Sequence, residues 1–124
     1  MKPRVLVVDD DPLYTEAAKS ILELDGRTEV VGFADNGEKA VSLAVELRPD
    51  VVLMDINMPV LDGIETTALL KDVMPSTRVV LVSSFADANR ERAQEAGAFA
   101  AIAKALGGDA LVEAALAAAE AVPS

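Results

Sequence analysis

The sequence predicts an α/β fold: one doubly wound domain with a parallel sheet, built from five β-α units. Three observations carry this. Residues 5–8 (VLVV), 51–54 (VVLM), 79–82 (VVLV) and 99–103 (FAAIA) are short apolar runs without alternation, and 29–33 (EVVGF) is a fifth candidate. Such runs read as strands buried on both faces. Segments with helical spacing and clear start and stop signals lie between them. No linker, repeat or low-complexity stretch divides the 124 residues, so one unit over 1–124 is expected, with right-handed crossovers.

Each helix has its own punctuation. Asp11 and Pro12 open the first with a capping carboxylate and a proline at the first helical position. Leu13, Ala17 and Ile21 follow at four-residue spacing, and Gly26 suits the exit. Asp35-Asn36-Gly37-Glu38 has capping-box spacing before Ala40, Val41, Ala44 and Leu47, and Pro49 ends that helix. Asp62 through Glu65 repeats the device before Ala68, Leu69 and Val73, with Pro75 as the stop. A fourth helix fits 86–96, closed by Gly97, and a fifth runs from about 109 to 121.

Composition removes whole classes of function. There is no cysteine, which excludes disulfides, thiol catalysis and thiolate zinc sites. There is no histidine either, so the usual general base and every Ser-His or Cys-His dyad are gone. Eleven basic residues against 21 acidic ones give a net charge of −10. The basic residues are scattered, and nucleic-acid binding by these residues is not expected without a basic footprint. Anionic membrane surfaces are disfavoured for the same reason. No signal peptide or spanning segment is legible, so a cytoplasmic location is expected. Alanine accounts for 22 residues and aromatics for 3%, so the core must be Val, Leu, Ile and Ala.

The residue after each apolar run is the informative one. Asp9, Asp10 and Asp11 follow the first run, Asp55 the second, Ser83 and Ser84 the third, and Lys104 the fourth. All strand C-termini of a parallel sheet lie on one edge, where open α/β sheets bind ligands. Asp9, Asp10, Asp55, Ser83 and Lys104 are therefore expected to converge. Two carboxylates ~4 Å apart repel by about 4 kcal/mol at an effective dielectric of 20. A hard divalent cation offsets this at oxygen ligands, and Mg²⁺ fits, with Mn²⁺ as its substitute. Acids, cation, lysine and hydroxyl together suit a transferring phosphoryl group. Without His or Cys the nucleophile is a carboxylate, and Asp55, alone after its strand, is the expected acceptor. Asp11 reads as the helix cap alone. Taken singly, the other residues read as ordinary loop acids, a surface lysine and a turn serine; four strand ends carrying complementary groups favour the joint reading.

Residues 5–12 (VLVVDDDP), 49–63 (PDVVLMDINMPVLDG), 79–84 (VVLVSS) and 97–104 (GAFAAIAK) resemble the receiver domain of bacterial response regulators. The stretch 57–65 is most similar to the NarL/FixJ subgroup. The resemblance implies a flavodoxin-like sheet in the order 2-1-3-4-5. It implies that Asp55 accepts a phosphoryl group from a sensor histidine kinase or phosphotransfer protein. Asp9, Asp10, Asp55 and the backbone carbonyl of Asn57 would hold Mg²⁺, and Ser83 and Lys104 would bind phosphoryl oxygens. The implied protein is a two-component phosphorelay switch and the N-terminal part of a transcriptional regulator. It would not be an enzyme beyond promoting its own phosphorylation and dephosphorylation, and no output domain is expected within 1–124. Three departures stand out: Ala101 replaces the family's switch aromatic, Ala105 replaces the proline after the lysine, and no DNA-binding output is expected among these 124 residues.

Phe85, two residues past Ser83, reads either as a shield for the phosphoryl group or as a cover for core. The first helix, with Tyr14 and Ala18 on a different side from Leu13 and Ile21, is where the resemblance places the kinase. Leu111, Ala114, Ala115, Leu116, Ala118 and Ala119 form an apolar arc on the last helix. That arc suits a second receiver or another partner, but alanine's helix preference is the plainer account. The rival readings are a stand-alone receiver, a pseudo-receiver interaction module and an aspartate-nucleophile phosphohydrolase. The last typically needs a second acid where Asn57 stands. A flavin or nucleotide module needs a phosphate loop that Asp9-Asp10-Asp11 would repel.

Overall fold

A computed structural model describes residues 1–121. The elements are β1 (Arg4–Val8), α1 (Pro12–Asp25), β2 (Glu29–Ala34), α2 (Gly37–Leu47), β3 (Val51–Asp55), α3 (Gly63–Val73), β4 (Arg78–Ser83), α4 (Ala86–Ala96), β5 (Ala100–Ala103) and α5 (Gly108–Glu120). A 3-10 turn, Lys104–Leu106, joins β5 to α5. The five strands form one parallel sheet in the order 2-1-3-4-5. The expected fold class and strand order are both observed.

Strand pleating sorts the apolar runs between two layers. Leu6, Val8, Val52, Met54, Val79 and Leu81 face α2, α3 and α4, meeting Ala40, Ala44, Ile64, Leu70 and Ala93. Val5, Val7, Val51, Leu53, Val80 and Val82 face the other way, onto Ala18 and Leu22 of α1 and Leu111, Val112, Ala115 and Ala118 of α5. The three central strands are therefore buried on both faces. The edge strands are not: β2 buries only Ala34 and β5 only Ala101.

The helix starts follow capping chemistry. Asp11 accepts a hydrogen bond from the Leu13 N–H at 2.9 Å, with Pro12 opening α1. Asp62 and Glu65 close a full capping box on α3, and a cap of this kind is worth about 1 kcal/mol. On α2 the cap is one residue later than the spacing suggests. Asn36, not Asp35, accepts from the Lys39 N–H, while Asp35 pairs with the Lys39 ammonium.

Two inward faces also differ from expectation. On α1 the buried residues are Ala18 and Leu22; Leu13 is 80% exposed. On α3 they are Gly63, Ile64, Thr66, Thr67 and Leu70, while Ala68, Leu69 and Val73 lie outside. Thr66 and Thr67 are buried because each hydroxyl donates to a carbonyl one turn back, Asp62 and Gly63 respectively, at 2.7 Å.

Candidate functional site

The C-terminal edge of the sheet gathers the residues that follow β1 and β5 and those that end β3 and β4. The Asp9 N–H donates to the Ala34 carbonyl at 3.0 Å, extending the β1–β2 ladder by one step. This holds the Asp9 side chain over the central strands, 2% exposed. One carboxylate oxygen accepts from the Asp11 N–H at 2.9 Å, and the other pairs with the Lys104 ammonium at 2.9 Å. Asp10, next along the chain, is exposed.

Asp55 ends β3 opposite Val82 and is 8% exposed. Burial, then the Asp9 charge, pushes its carboxyl above the usual carboxylate range. Lys104 and hydrogen bonds from the backbone of Asn57 and Ile56 act in the opposite direction. The Lys104 nitrogen lies 3.7 Å from the Asp55 carboxylate. The nucleophilic form is the ionised carboxylate, and Lys104 and the two backbone hydrogen bonds are the groups that favour it here.

Ser83 ends β4, beside Ala103 in the ladder and fully buried. Its hydroxyl oxygen accepts from the Phe85 N–H at 3.1 Å. Lys104 follows Ala103 directly, so the β4–β5 register places the two residues at the same edge. Asn57 is exposed on the β3–α3 loop. Behind that loop, Gly63 donates its N–H to the Ile56 carbonyl at 2.7 Å. A side chain at Gly63 would collide with the Asp55 backbone, so close approach dictates glycine there.

Each predicted site residue thus lies at this edge, and Asp9, Asp55 and Lys104 are in direct contact. Asp9, Asp10 and Asp55 each offer a carboxylate oxygen within 4.8 Å of the others. Three hard oxygen donors, one of them exposed to solvent, fit a small divalent cation that keeps several of its waters.

Two features differ from the sequence reading or escaped it. Phe85 is 64% exposed, so it does not cover core. Tyr14, on the helix where the resemblance places the kinase, turns its ring to the site, with the Lys104 nitrogen 4.3 Å from the ring centre. Burial first, then the charges of Asp9 and Asp55, raise its phenol to about 12. The available signal was position: Tyr14 lies in the first turn of the helix that starts at this edge.

Residues 5–116 match the response regulator receiver domain. The chain belongs to that family. The receiver domain of the putative response regulator NarL from Mycobacterium tuberculosis superposes with a TM-score of 0.92 at 36% identity, covering 98% of both chains. LnrK, a transcriptional regulatory protein of Bacillus subtilis, is 38% identical over 90% of this chain and 51% of its own length. A protein-glutamate methylesterase/protein-glutamine glutaminase of Syntrophus aciditrophicus is 38% identical over 82% of this chain and 30% of its own. The chain therefore spans about half or less of these curated relatives. As a receiver it is a component of a two-component system.

Against that family pattern, Ala101 is 6% exposed. Its carbonyl accepts from Arg90 at 3.0 Å, beside a cavity of about 300 Å³ lined by Arg90, Ala93, Gln94, Phe99 and Ala101. No helix among the described residues is long and apolar enough to cross a membrane.

Proposed function

We propose that this receiver takes a phosphoryl group onto Asp55 from the phosphohistidine of a sensor histidine kinase or phosphotransfer protein. The observation that carries the reading is the packing of the Asp9, Asp10 and Asp55 carboxylates within 4.8 Å, with Lys104 against two of them. One Asp55 oxygen attacks phosphorus as the P–N bond to the donor imidazole breaks, leaving an acyl phosphate. Asp9, Asp10, Asp55 and the Asn57 carbonyl would hold Mg²⁺, or Mn²⁺, which would supply positive charge to the phosphoryl oxygens. Lys104 and Ser83 bind those oxygens from the β4–β5 side. Attack by water on phosphorus later restores the carboxylate and releases phosphate. The chain acts on itself and not as an enzyme on a separate substrate.

The switch lies at the β4–α4 junction. α4 starts without a side-chain cap, and the Ser83 hydroxyl holds the Phe85 N–H there. A phosphoryl group brings a charge of about −1.5 to −2 and three acceptor oxygens. Drawing Ser83 to it releases the Phe85 amide and biases the surface of α4 and β5. The likeness to LnrK supports a transcriptional regulator as the whole protein; the methylesterase likeness supports a second kind of output for the same receiver. Location in the cytoplasm follows from the partner, because the phosphohistidine of a sensor kinase is made there.

Intact mass after incubation with Mg²⁺ and acetyl phosphate tests the reading, with Asp55→Asn alongside. One added phosphate on wild type, abolished by chelation and absent from the variant, is expected. No adduct, together with amide shifts in residues 83–105 unmoved by beryllofluoride, would leave a pseudo-receiver.

A further inference from the structure

Lys104 receives no side-chain support from its own strand. β5 is Ala100, Ala101, Ile102 and Ala103, and the turn that Lys104 opens continues with exposed Ala105 and Leu106. Yet its ammonium is held at a defined point, 2.9 Å from Asp9 and 3.7 Å from Asp55. A four-carbon side chain has many rotamers, and three of its hydrogens need acceptors. Asp10, exposed beside Asp9, is a competing anchor in the same cluster.

The remaining contact comes from across the site. The Tyr14 ring stands 4.3 Å from the Lys104 nitrogen, a distance at which the negative face of an aromatic ring attracts a cation. The ring is itself fixed. Tyr14 lies in the first turn of α1 behind the Asp11 cap and Pro12. It packs against the apolar layer that contains Ala18 and Leu22.

We propose that Tyr14 is the positioning residue of the phosphoryl site: its ring holds the Lys104 ammonium in the gap between Asp9 and Asp55, where a phosphoryl oxygen arrives. This rests on Asp55 as acceptor and adds a residue of α1 to the transfer site. Tyr14 acts through Lys104 and touches no reacting atom. The ring carries the effect and the hydroxyl does not, because it is the ring face that meets the ammonium.

The test compares wild type with Tyr14→Phe and Tyr14→Leu, first without donor. Proton–carbon spectra of the Lys104 ε-methylene, assigned by its loss in Lys104→Arg, read the ring directly. An upfield shift is expected in wild type and Tyr14→Phe and is lost in Tyr14→Leu. Adduct formation from acetyl phosphate and Mg²⁺ is followed next. Tyr14→Leu is expected to slow it by about three- to tenfold, the range of a partly exposed cation–π contact, and Tyr14→Phe to restore it. In a Lys104→Ala background Tyr14→Leu is expected to add no further slowing. Thermal unfolding of each variant confirms that it is folded.

No upfield shift in wild type overturns the contact. A lost shift with an unslowed Tyr14→Leu overturns the positioning role, and a Tyr14→Phe as slow as Tyr14→Leu overturns the ring in favour of the hydroxyl. If wild type takes up no phosphoryl group while the ring shift is present, the assignment of Asp55 has failed and the Tyr14–Lys104 contact stands.

Discussion

Lys104 and Asp9 form the tightest ion pair at the sheet edge, 2.9 Å apart, with Asp55 next at 3.7 Å from the same ammonium. The lysine is thus bound more closely to the flanking acid than to the proposed acceptor. Asp9 depends on that partner, since its side chain is 1% exposed and that of Lys104 24%.

Removing the cation leaves a buried carboxylate facing two others. Lys104→Met is expected to lower stability by about 2 kcal/mol, less than a fully buried pair because the lysine is partly in water. Urea unfolding at neutral pH measures it. Added Mg²⁺ is expected to stabilise the variant more than wild type, because it offsets the same charge. Equal stabilisation of both would show that the lysine and the metal site do not share a field.

Asp55→Asn is expected to act in the opposite direction. A carboxyl raised by burial and by Asp9 keeps its proton in the fold at a pH where the unfolded chain has released it. Its contribution to stability is therefore fully present below the usual carboxylate value and is lost as pH rises through the raised one. The amide ends that loss, so the variant should be more stable than wild type at pH 7, by about 1 kcal/mol, and level with it in acid. A variant less stable at pH 7 would contradict the assigned balance of charges.

Much of this was legible in the sequence. Strand ends are easy to find because an apolar run and the charged residue that stops it are adjacent in the chain, and parallel topology then brings Asp9, Asp55, Ser83 and Lys104 to one edge. Helix phase was harder. One residue turns a helix by about 100°, so taking Leu13 rather than Ala18 as the start of a stripe rotates the predicted face of α1 toward solvent. Thr66 and Thr67 look polar until their hydroxyls bond within α3. The contact of Tyr14 with Lys104 crosses from α1 to the end of β5, so local spacing does not encode it, and its place in the first turn of α1 is the one hint the sequence holds.

The tyrosine offers its own measurement. The chain has one tyrosine and no tryptophan, so ultraviolet titration reads Tyr14 alone. Tyrosinate should appear with a midpoint near about 12 in the folded protein and near about 10 in denaturant. The stability carried by the protonated phenol is whole below the lower value and lost through the upper one. A folded midpoint at the denatured value would place the phenol away from Asp9 and Asp55.

Gly63 lies directly behind the acceptor, where a Cβ would meet the Asp55 carbonyl and the Ile56 backbone. Backbone cannot swing aside as a flexible side chain can. Gly63→Ala is expected to cost about 3 kcal/mol and to slow acetyl-phosphate labelling, because relief of the clash shifts Asp55 itself. Unfolding midpoints and labelling rates check the two effects, and a variant matching wild type in both would remove the constraint.

The central claim is that Asp55 forms the acyl phosphate. Borohydride reduces an aspartyl phosphate to homoserine, so labelling with acetyl phosphate and Mg²⁺, reduction, digestion and peptide sequencing by mass locate the bond. Homoserine at position 55, dependent on donor and metal, is the predicted result. Homoserine at Asp9 or Asp10, or a borohydride-stable phosphate on Ser83, would contradict the account.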